Sequence, residues 1–268
     1  MATVLERTKA TLAGFERLEI DINGIRTIVY TAGKGEPVVY LHGSGTFTGF
    51  SFAQGWLQNH RVIIPYHPGF GESDDDASIE VMQDYALHYL DLFDALKIDR
   101  LSLVGASLGG WMAAEIAITQ QARLNKLILV APAGLVVSEV PGTDLFTVPP
   151  RDLPNYLVAD PATLAPFLPE GHDLEFLTLR YRETTATARL TWERPAGDPR
   201  LSRWLHRIRT PTLLVWGEQD RVRPIGQAKH WLKHLSNARL LIVEQAGHLP
   251  LDEKPAYAGR VLEFLNEK

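Results

Sequence analysis

Cysteine is absent from all 268 residues, which excludes disulfides, thiolate metal sites and a cysteine nucleophile. That absence suits a reducing compartment. No run approaches the ~20 apolar residues needed to span a bilayer. Residues 1–20 interrupt their apolar positions with Glu6, Arg7, Lys9, Glu16 and Arg17, so they lack the apolar core of a signal peptide. A cytoplasmic protein with no membrane partner is expected. Charge of one sign is scarce too: 27 basic and 32 acidic residues are mixed along the chain, for a net charge of −5. Without a basic stripe, nucleic acid is not an expected partner. The histidines do not pair with carboxylates at ligand spacing, so no metal and no other cofactor is expected. Internal repeats and low-complexity tracts are lacking as well.

What is present is ample apolar material, 45% of residues, in a length that suits one large α/β domain with or without an insertion. Residues 18–22 and 25–30 flank Asn23-Gly24, a strong hairpin signal. Further strands are expected at 37–41, 61–65, 101–104, 126–131, 212–216 and 239–243. Ser78 is expected to cap a helix with Glu80 in its first turn. That helix continues through Met82, Tyr85, Ala86, Tyr89, Phe93 and Leu96, spaced like one buried face. Near-continuous apolar strands separated by helices indicate a mostly parallel sheet covered on both faces.

The alternation lapses between Gly134 and His206. Prolines crowd this segment (Pro141, Pro149, Pro150, Pro154, Pro161, Pro166, Pro169, Pro195 and Pro199), yet residues 173–191 read as helix. Its leucines and aromatics argue for a small helical cap and against a disordered loop. The expected organisation is a core of residues 1–133 and 207–268, with a cap at 134–206 inserted after the sixth strand.

The chemistry centres on Gly105-Ala106-Ser107-Leu108-Gly109. A G-x-S-x-G between a strand and a helix thrusts a serine hydroxyl from a strained turn at the sheet edge. A serine hydroxyl needs a neighbouring base before it attacks. Asp220 and His248 each follow a strand, and loops after parallel strands open on one common edge. Ser107 is the expected nucleophile, His248 its base, and Asp220 the acid that orients the imidazole. Glu218 is the competing acid, but it precedes the turn. An attacked carbonyl needs backbone donors for its developing charge. The expected oxyanion-hole amides are those of Leu108 and Ser44, with Gly43 the runner-up. His42 is expected to anchor that loop. A phosphate cradle is the rival reading of its glycines, but a P-loop's lysine and spacing are missing.

With these residues in view, the chain resembles the α/β-hydrolase superfamily over nearly its whole length. The matching pieces are His42-Gly43-Ser44-Gly45, Pro68-Gly69-Phe70-Gly71-Glu72-Ser73, the five residues around Ser107, Trp216-Gly217-Glu218-Gln219-Asp220 and Gly247-His248. The resemblance implies the α/β-hydrolase fold with an eight-stranded sheet. Within the superfamily, it looks like the serine-nucleophile branch of carboxylesterases, enol-lactonases and meta-cleavage-product C–C hydrolases. Haloalkane dehalogenases and epoxide hydrolases carry aspartate where Ser107 stands, so those activities are disfavoured. The C–C hydrolases typically continue the oxyanion loop with Pro-Gly and follow the histidine with tryptophan. Here Thr46-Phe47 and Leu249 stand instead. Tyr66 replaces the aspartate often found two residues before the Pro68 equivalent.

A small-molecule substrate is the expected partner, met by the cap. Phe47, Phe50, Trp111, Phe146, Phe167, Trp192 and Leu249 are candidate pocket residues. Arg180, Arg182 and Arg189 are candidates for gripping a substrate carboxylate. The leading expectation is a serine hydrolase that cleaves a small ester or lactone through an acyl-enzyme. Hydrolysis of a C–C bond in a vinylogous diketone is the alternative. Perhydrolysis and a non-catalytic ligand receptor on the same fold are further ones. The oligomeric state stays open, a homodimer included.

Overall fold

The computed structural model describes residues 2–194 and 197–267; Pro195 of the expected cap lies outside them. Eight strands form one sheet: β1 (Glu16–Ile22), β2 (Ile25–Ala32), β3 (Glu36–Leu41), β4 (His60–Pro65), β5 (Leu101–Ala106), β6 (Leu124–Val130), β7 (Thr212–Gly217) and β8 (Ala238–Val243). Their order is β1-β2-β4-β3-β5-β6-β7-β8. β2 runs antiparallel to β1 and β4, and every other pairing is parallel. The opening hairpin closes at Asn23 and Gly24, whose φ angles of 53° and 87° are the left-handed pair that a two-residue turn requires.

Apolar side chains alternate across the sheet and build two cores. Val39, Leu41, Ile63, Leu103, Leu129 and Leu214 face one side, and Val38, Tyr40, Ile64, Val104, Ile128 and Val215 the other. The helices are α1 (Val4–Ala10), α2 (Met82–Ala95), α3 (Leu108–Gln120), α4 (Leu153–Leu157), α5 (Leu174–Thr191), α6 (Ala228–His234), α7 (Pro250–Glu253) and α8 (Ala256–Asn266). α2, α3 and α6 close the first core through Tyr85, Met112 and Trp231. α8 closes the second, where the Trp56 indole also donates to the Ala258 carbonyl at 3.0 Å.

One expected boundary moves. The helix begins at Met82, not after Ser78. The Ser78 amide is taken by Asp76 Oδ1 in a local turn, while Asp84 Oδ2 accepts the Glu80 and Val81 amides from inside the helix. Asp84 therefore satisfies the donors that Ser78 was expected to serve.

Between β6 and β7 the described residues form helices and turns and no strand. α5 starts where Asp173 Oδ1 accepts the Phe176 amide at 3.0 Å, the N-cap geometry that aspartate favours. Two of the candidate arginines fasten this insertion to the core. Arg182 donates to the carbonyls of Gly71 (3.2 Å) and Ser73 (2.9 Å). Arg189 forks onto Asp75 at 2.8 and 3.0 Å and reaches the Asp76 carbonyl. The expectation that they meet a substrate carboxylate is corrected, because their guanidinium groups are engaged in these contacts.

α1 also packs on the insertion. A reciprocal capping box between Thr3 and Glu6 starts it. Arg7 donates to the carbonyls of Pro166 and Leu168, and Val4 packs with Phe47 and Phe176.

Candidate active site

Ser107 joins β5 to α3 with φ 50° and ψ −112°, a conformation an L-residue holds only when its surroundings force it. Those surroundings are glycines in contact with backbone. A Cβ at Gly105 would lie 2.3 Å from the Gly109 carbonyl oxygen, and one at Gly109 would lie 2.2 Å from that of Leu41. The turn is tied down from both directions. The Ser107 amide donates to the Val130 carbonyl, and the Ser107 carbonyl accepts from Ala133, each at 2.9 Å.

Three loops at the C-terminal ends of β5, β7 and β8 bring Ser107, Asp220 and His248 together. His248 Nδ1–H donates to Asp220 Oδ2 at 2.9 Å, which leaves Nε2 to accept from the Ser107 hydroxyl at 2.9 Å. Asp220 Oδ1 accepts the amides of Val222 and Arg223, both at 2.8 Å, so the carboxylate is fixed in place. The Asp220 and His248 side chains are buried, so their bond competes little with water. The competing acid is elsewhere: Glu218 Oε2 accepts the Gln245 amide at 3.1 Å.

The loop after β3 lies beside the serine, since a Cβ at Gly43 would stand 3.4 Å from Ser107 Cβ. Among the described residues the amides of Ser44 and Leu108 donate to no protein acceptor. Behind this loop sits buried His42. Its Nδ1–H donates to the Gly43 carbonyl at 2.7 Å, and its Nε2 accepts the His67 amide at 3.1 Å. Burial pushes its pKa down to about 3, so it anchors the loop as a neutral ring.

The candidate substrate residues divide. Of the candidate arginines, Arg180 reaches the loop after β3. Its guanidinium stacks 4.9 Å from the Phe47 ring centre, and Nη1 meets Glu183 Oε2 at 2.8 Å and the Ser44 carbonyl at 3.5 Å. Leu249, half-buried next to His248, donates its amide to Leu157 of the insertion. Phe50 instead packs against Tyr40, His42 and Tyr66 behind the loop, and Phe167 packs beside Phe47 and Phe176. The Trp111 indole donates to Glu115 at 3.2 Å, and Trp111 lines a crevice of about 600 Å³ with Arg200, Leu201 and Trp204. None of Ser107, Asp220, His248 and residues 42–45 lines that crevice. Trp192 is 66% exposed, edge-on to Phe146.

Glu253, which motif reasoning passed over, belongs to the site's frame. Its Oε1 accepts the amides of Ala159 and Asp160, and its Oε2 accepts from Gly247, next to His248. A glutamate in a short helix carries no sequence signal for such a bridge. Among the described residues, no group of three or more His, Asp or Glu side chains is placed to hold a metal, and no helix is long and apolar enough to cross a membrane.

Comparison with known proteins shows the family. The chain is 29% identical to the 2-hydroxy-6-oxo-6-phenylhexa-2,4-dienoate hydrolase of Comamonas testosteroni, over 98% of this chain and 99% of that one. It is 26% identical to the 2-hydroxymuconate semialdehyde hydrolase of Pseudomonas sp. (strain CF600), over 93% of each. The fold also matches the crystal structure of a membrane phospholipase A, a bacterial virulence factor, with a TM-score of 0.79 at 23% identity, over 98% of this chain and 90% of that one. The profile of the alpha/beta hydrolase family matches residues 38–258. Together with the elbow at Ser107 and the eight-stranded sheet, that match places this chain in the alpha/beta hydrolase family.

Proposed function

We propose that this chain is a Ser107 hydrolase that cleaves a C–C bond in a vinylogous diketone bearing a carboxylate, of the 2-hydroxy-6-oxo-dienoate type. The observation that carries this reading is the near full-length similarity to hydrolases of such compounds. It reverses the order of the sequence expectation, in which ester or lactone cleavage led. The β6–β7 insertion acts as the cap, and Arg180 is the arginine beside the oxyanion loop that suits a substrate carboxylate. Among the described residues only its Nη1 hydrogen-bonds to protein, which leaves other N–H groups for a ligand.

The chemistry follows from the geometry. Ser107 Oγ adds to the ketone carbon while its proton passes to His248 Nε2, and Asp220 steadies the imidazolium. The amides of Ser44 and Leu108 hold the oxyanion. Collapse breaks the adjacent C–C bond. The step needs the diketone tautomer, in which the 2-hydroxyl proton has moved to the carbon beside the ketone; the departing pair then spreads through the enone onto the 2-oxygen, which takes the proton from His248. Water, deprotonated by His248, then attacks the acyl carbon, and His248 returns that proton to Ser107 Oγ as the acid leaves.

Ester or lactone hydrolysis by the same triad is the second reading. It is favoured by Thr46-Phe47 and Leu249, which stand where the C–C hydrolases typically carry Pro-Gly and tryptophan. Assay of 2-hydroxy-6-oxo-dienoates beside aryl esters and lactones separates the two. A kcat/KM at least tenfold higher for the dienoates is expected, and the reverse ranking overturns the proposal. Arg180→Gln should raise KM for the dienoate tenfold or more while changing KM for a neutral ester little.

A further inference from the structure

Glu183 projects from α5 of the insertion into the core, and its side chain is fully buried. Its Oε1 accepts from the Thr46 hydroxyl at 2.6 Å, the Thr46 amide at 3.2 Å and the Gly71 amide at 3.3 Å. Its Oε2 takes the Arg180 guanidinium at 2.8 Å, and the Thr46 amide again at 3.4 Å. One carboxylate thus gathers donors from two core loops, the one after β3 and the turn after β4. A buried charge is tolerated only with such a full set of partners. The cluster includes Thr46, two residues beyond Ser44. Arg180, held by Glu183, closes the ring by reaching back to the Ser44 carbonyl.

Gly45 completes the fit. A Cβ there would stand 2.5 Å from Arg180 Nη1, so the glycine lets the ion pair settle directly on the loop. The Ser44 amide is aimed by peptide planes whose neighbours on the C-terminal side are clamped by Glu183. On the N-terminal side His42 and Gly43 are clamped by the core.

We infer that Glu183 is a positioning residue for the oxyanion loop, acting through Thr46 and Arg180 to hold the Ser44 amide in its donating orientation. The cap then has a part in the chemistry beyond roofing the substrate: when α5 is seated the oxyanion loop is assembled, and when α5 lifts the loop loses its clamp. This inference rests on the reading of Ser107 as nucleophile and Ser44 as oxyanion donor. Interactions made with the developing oxyanion act on kcat more than on KM.

The test is Glu183→Gln, with Thr46→Val as a second variant that removes one donor and keeps the backbone. Each is followed by melting temperature, by kcat and KM on a 2-hydroxy-6-oxo-dienoate and an aryl ester, and by the rate of fluorophosphonate labelling at Ser107. Phosphonylation also develops charge on an oxygen facing the Ser44 and Leu108 amides, so it reads the loop without needing the substrate. Glu183→Gln should lower kcat and the labelling rate 10- to 100-fold, with KM for the aryl ester changed less than threefold and the melting temperature within a few degrees. Thr46→Val should give a smaller loss, and the double variant little more than Glu183→Gln alone. Labelling within twofold of the wild-type rate in folded Glu183→Gln overturns the inference. So does a loss confined to KM, or one matched by unfolding in both single variants. If wild-type protein labels at Ser107 but turns over neither substrate class, the proposed function fails while the labelling rates still decide on Glu183.

Discussion

Gly247 rests directly against the backbone of Val158: a Cβ at 247 would lie 2.7 Å from Val158 Cα. The residue before His248 therefore touches the insertion with no side chain between them. The Leu249 amide donates to the Leu157 carbonyl at 3.0 Å on the other side of the histidine. Gly247→Ala must push the two segments apart, and a displacement of about 1 Å at a reacting group can cost 10²-fold. A kcat reduced 10- to 100-fold, with the sheet intact by circular dichroism, is expected. Unchanged kcat would mean the contact has no bearing on His248.

Removal of either end of the proton path should be far more severe. Ser107→Ala or His248→Ala is expected to lower kcat by about 10⁴–10⁶. Asp220→Asn should cost less, since it alters the imidazole tautomer but leaves nucleophile and base in place. Steady-state kinetics on purified, folded variants check both statements. Near-normal turnover by either alanine variant would remove the triad assignment.

The elbow glycines carry a stability cost of their own. A Cβ at Gly109 meets the carbonyl oxygens of Leu41 at 2.2 Å and His42 at 2.4 Å, and neither backbone can rotate away. Gly109→Ala should destabilise the protein by about 1–3 kcal/mol, as overpacking does. Urea denaturation measures this, and a stability equal to wild type would show that α3 shifts freely against β3.

Acid stability is set by buried neutral histidines. Burial lowers His42 to about 3 and His88 to about 4, and lowers His67 as well. Below the ordinary histidine value of ~6.5, the unfolded chain binds protons that the folded chain refuses. Stability from these groups is therefore full above pH 6.5 and lost as pH falls toward 3–4. Asp252 runs the other way. Burial raises its carboxyl to about 7, so its contribution is lost as pH rises from 3.8 toward 7. Unfolding free energy measured from pH 4 to 7 should rise less steeply in His88→Asn and more steeply in Asp252→Asn. A slope unchanged by both substitutions would contradict these assignments.

Much of the fold was legible in the sequence. Six of the strands were readable as short apolar runs bounded by turn residues, and β1 and β2 from the hairpin signal of Asn23-Gly24 between them. Ser107, Asp220 and His248 were readable because each follows such a strand, and parallel strands end on one edge. The start of α2 was not, because Ser78 and Asp84 are both plausible capping residues and only the packed chain shows which one the amides reach. The capping box of α1 was present as Thr3 and Glu6 but carried too little surrounding periodicity to be noticed. The arginines were ambiguous for a different reason: Arg180, Arg182 and Arg189 share one helix, and apart from Glu183, which pairs with Arg180, their partners lie more than a hundred residues away.

The sequence by itself determined the mostly parallel sheet covered on both faces, the strained turn at Ser107 and the placing of Asp220 and His248 just past their own strands, because these follow from local periodicity and from glycines at fixed offsets. Tertiary structure alone decided the rest. Arg182 and Arg189 fasten the insertion while Arg180 sits beside Ser44, and Trp111 lines a crevice that Ser107 does not reach. Gly247 meets Val158, and Glu183 reaches Thr46. Each of these depends on side chains far apart in the chain meeting across the join between insertion and core, where packing and burial select partners that no spacing rule records.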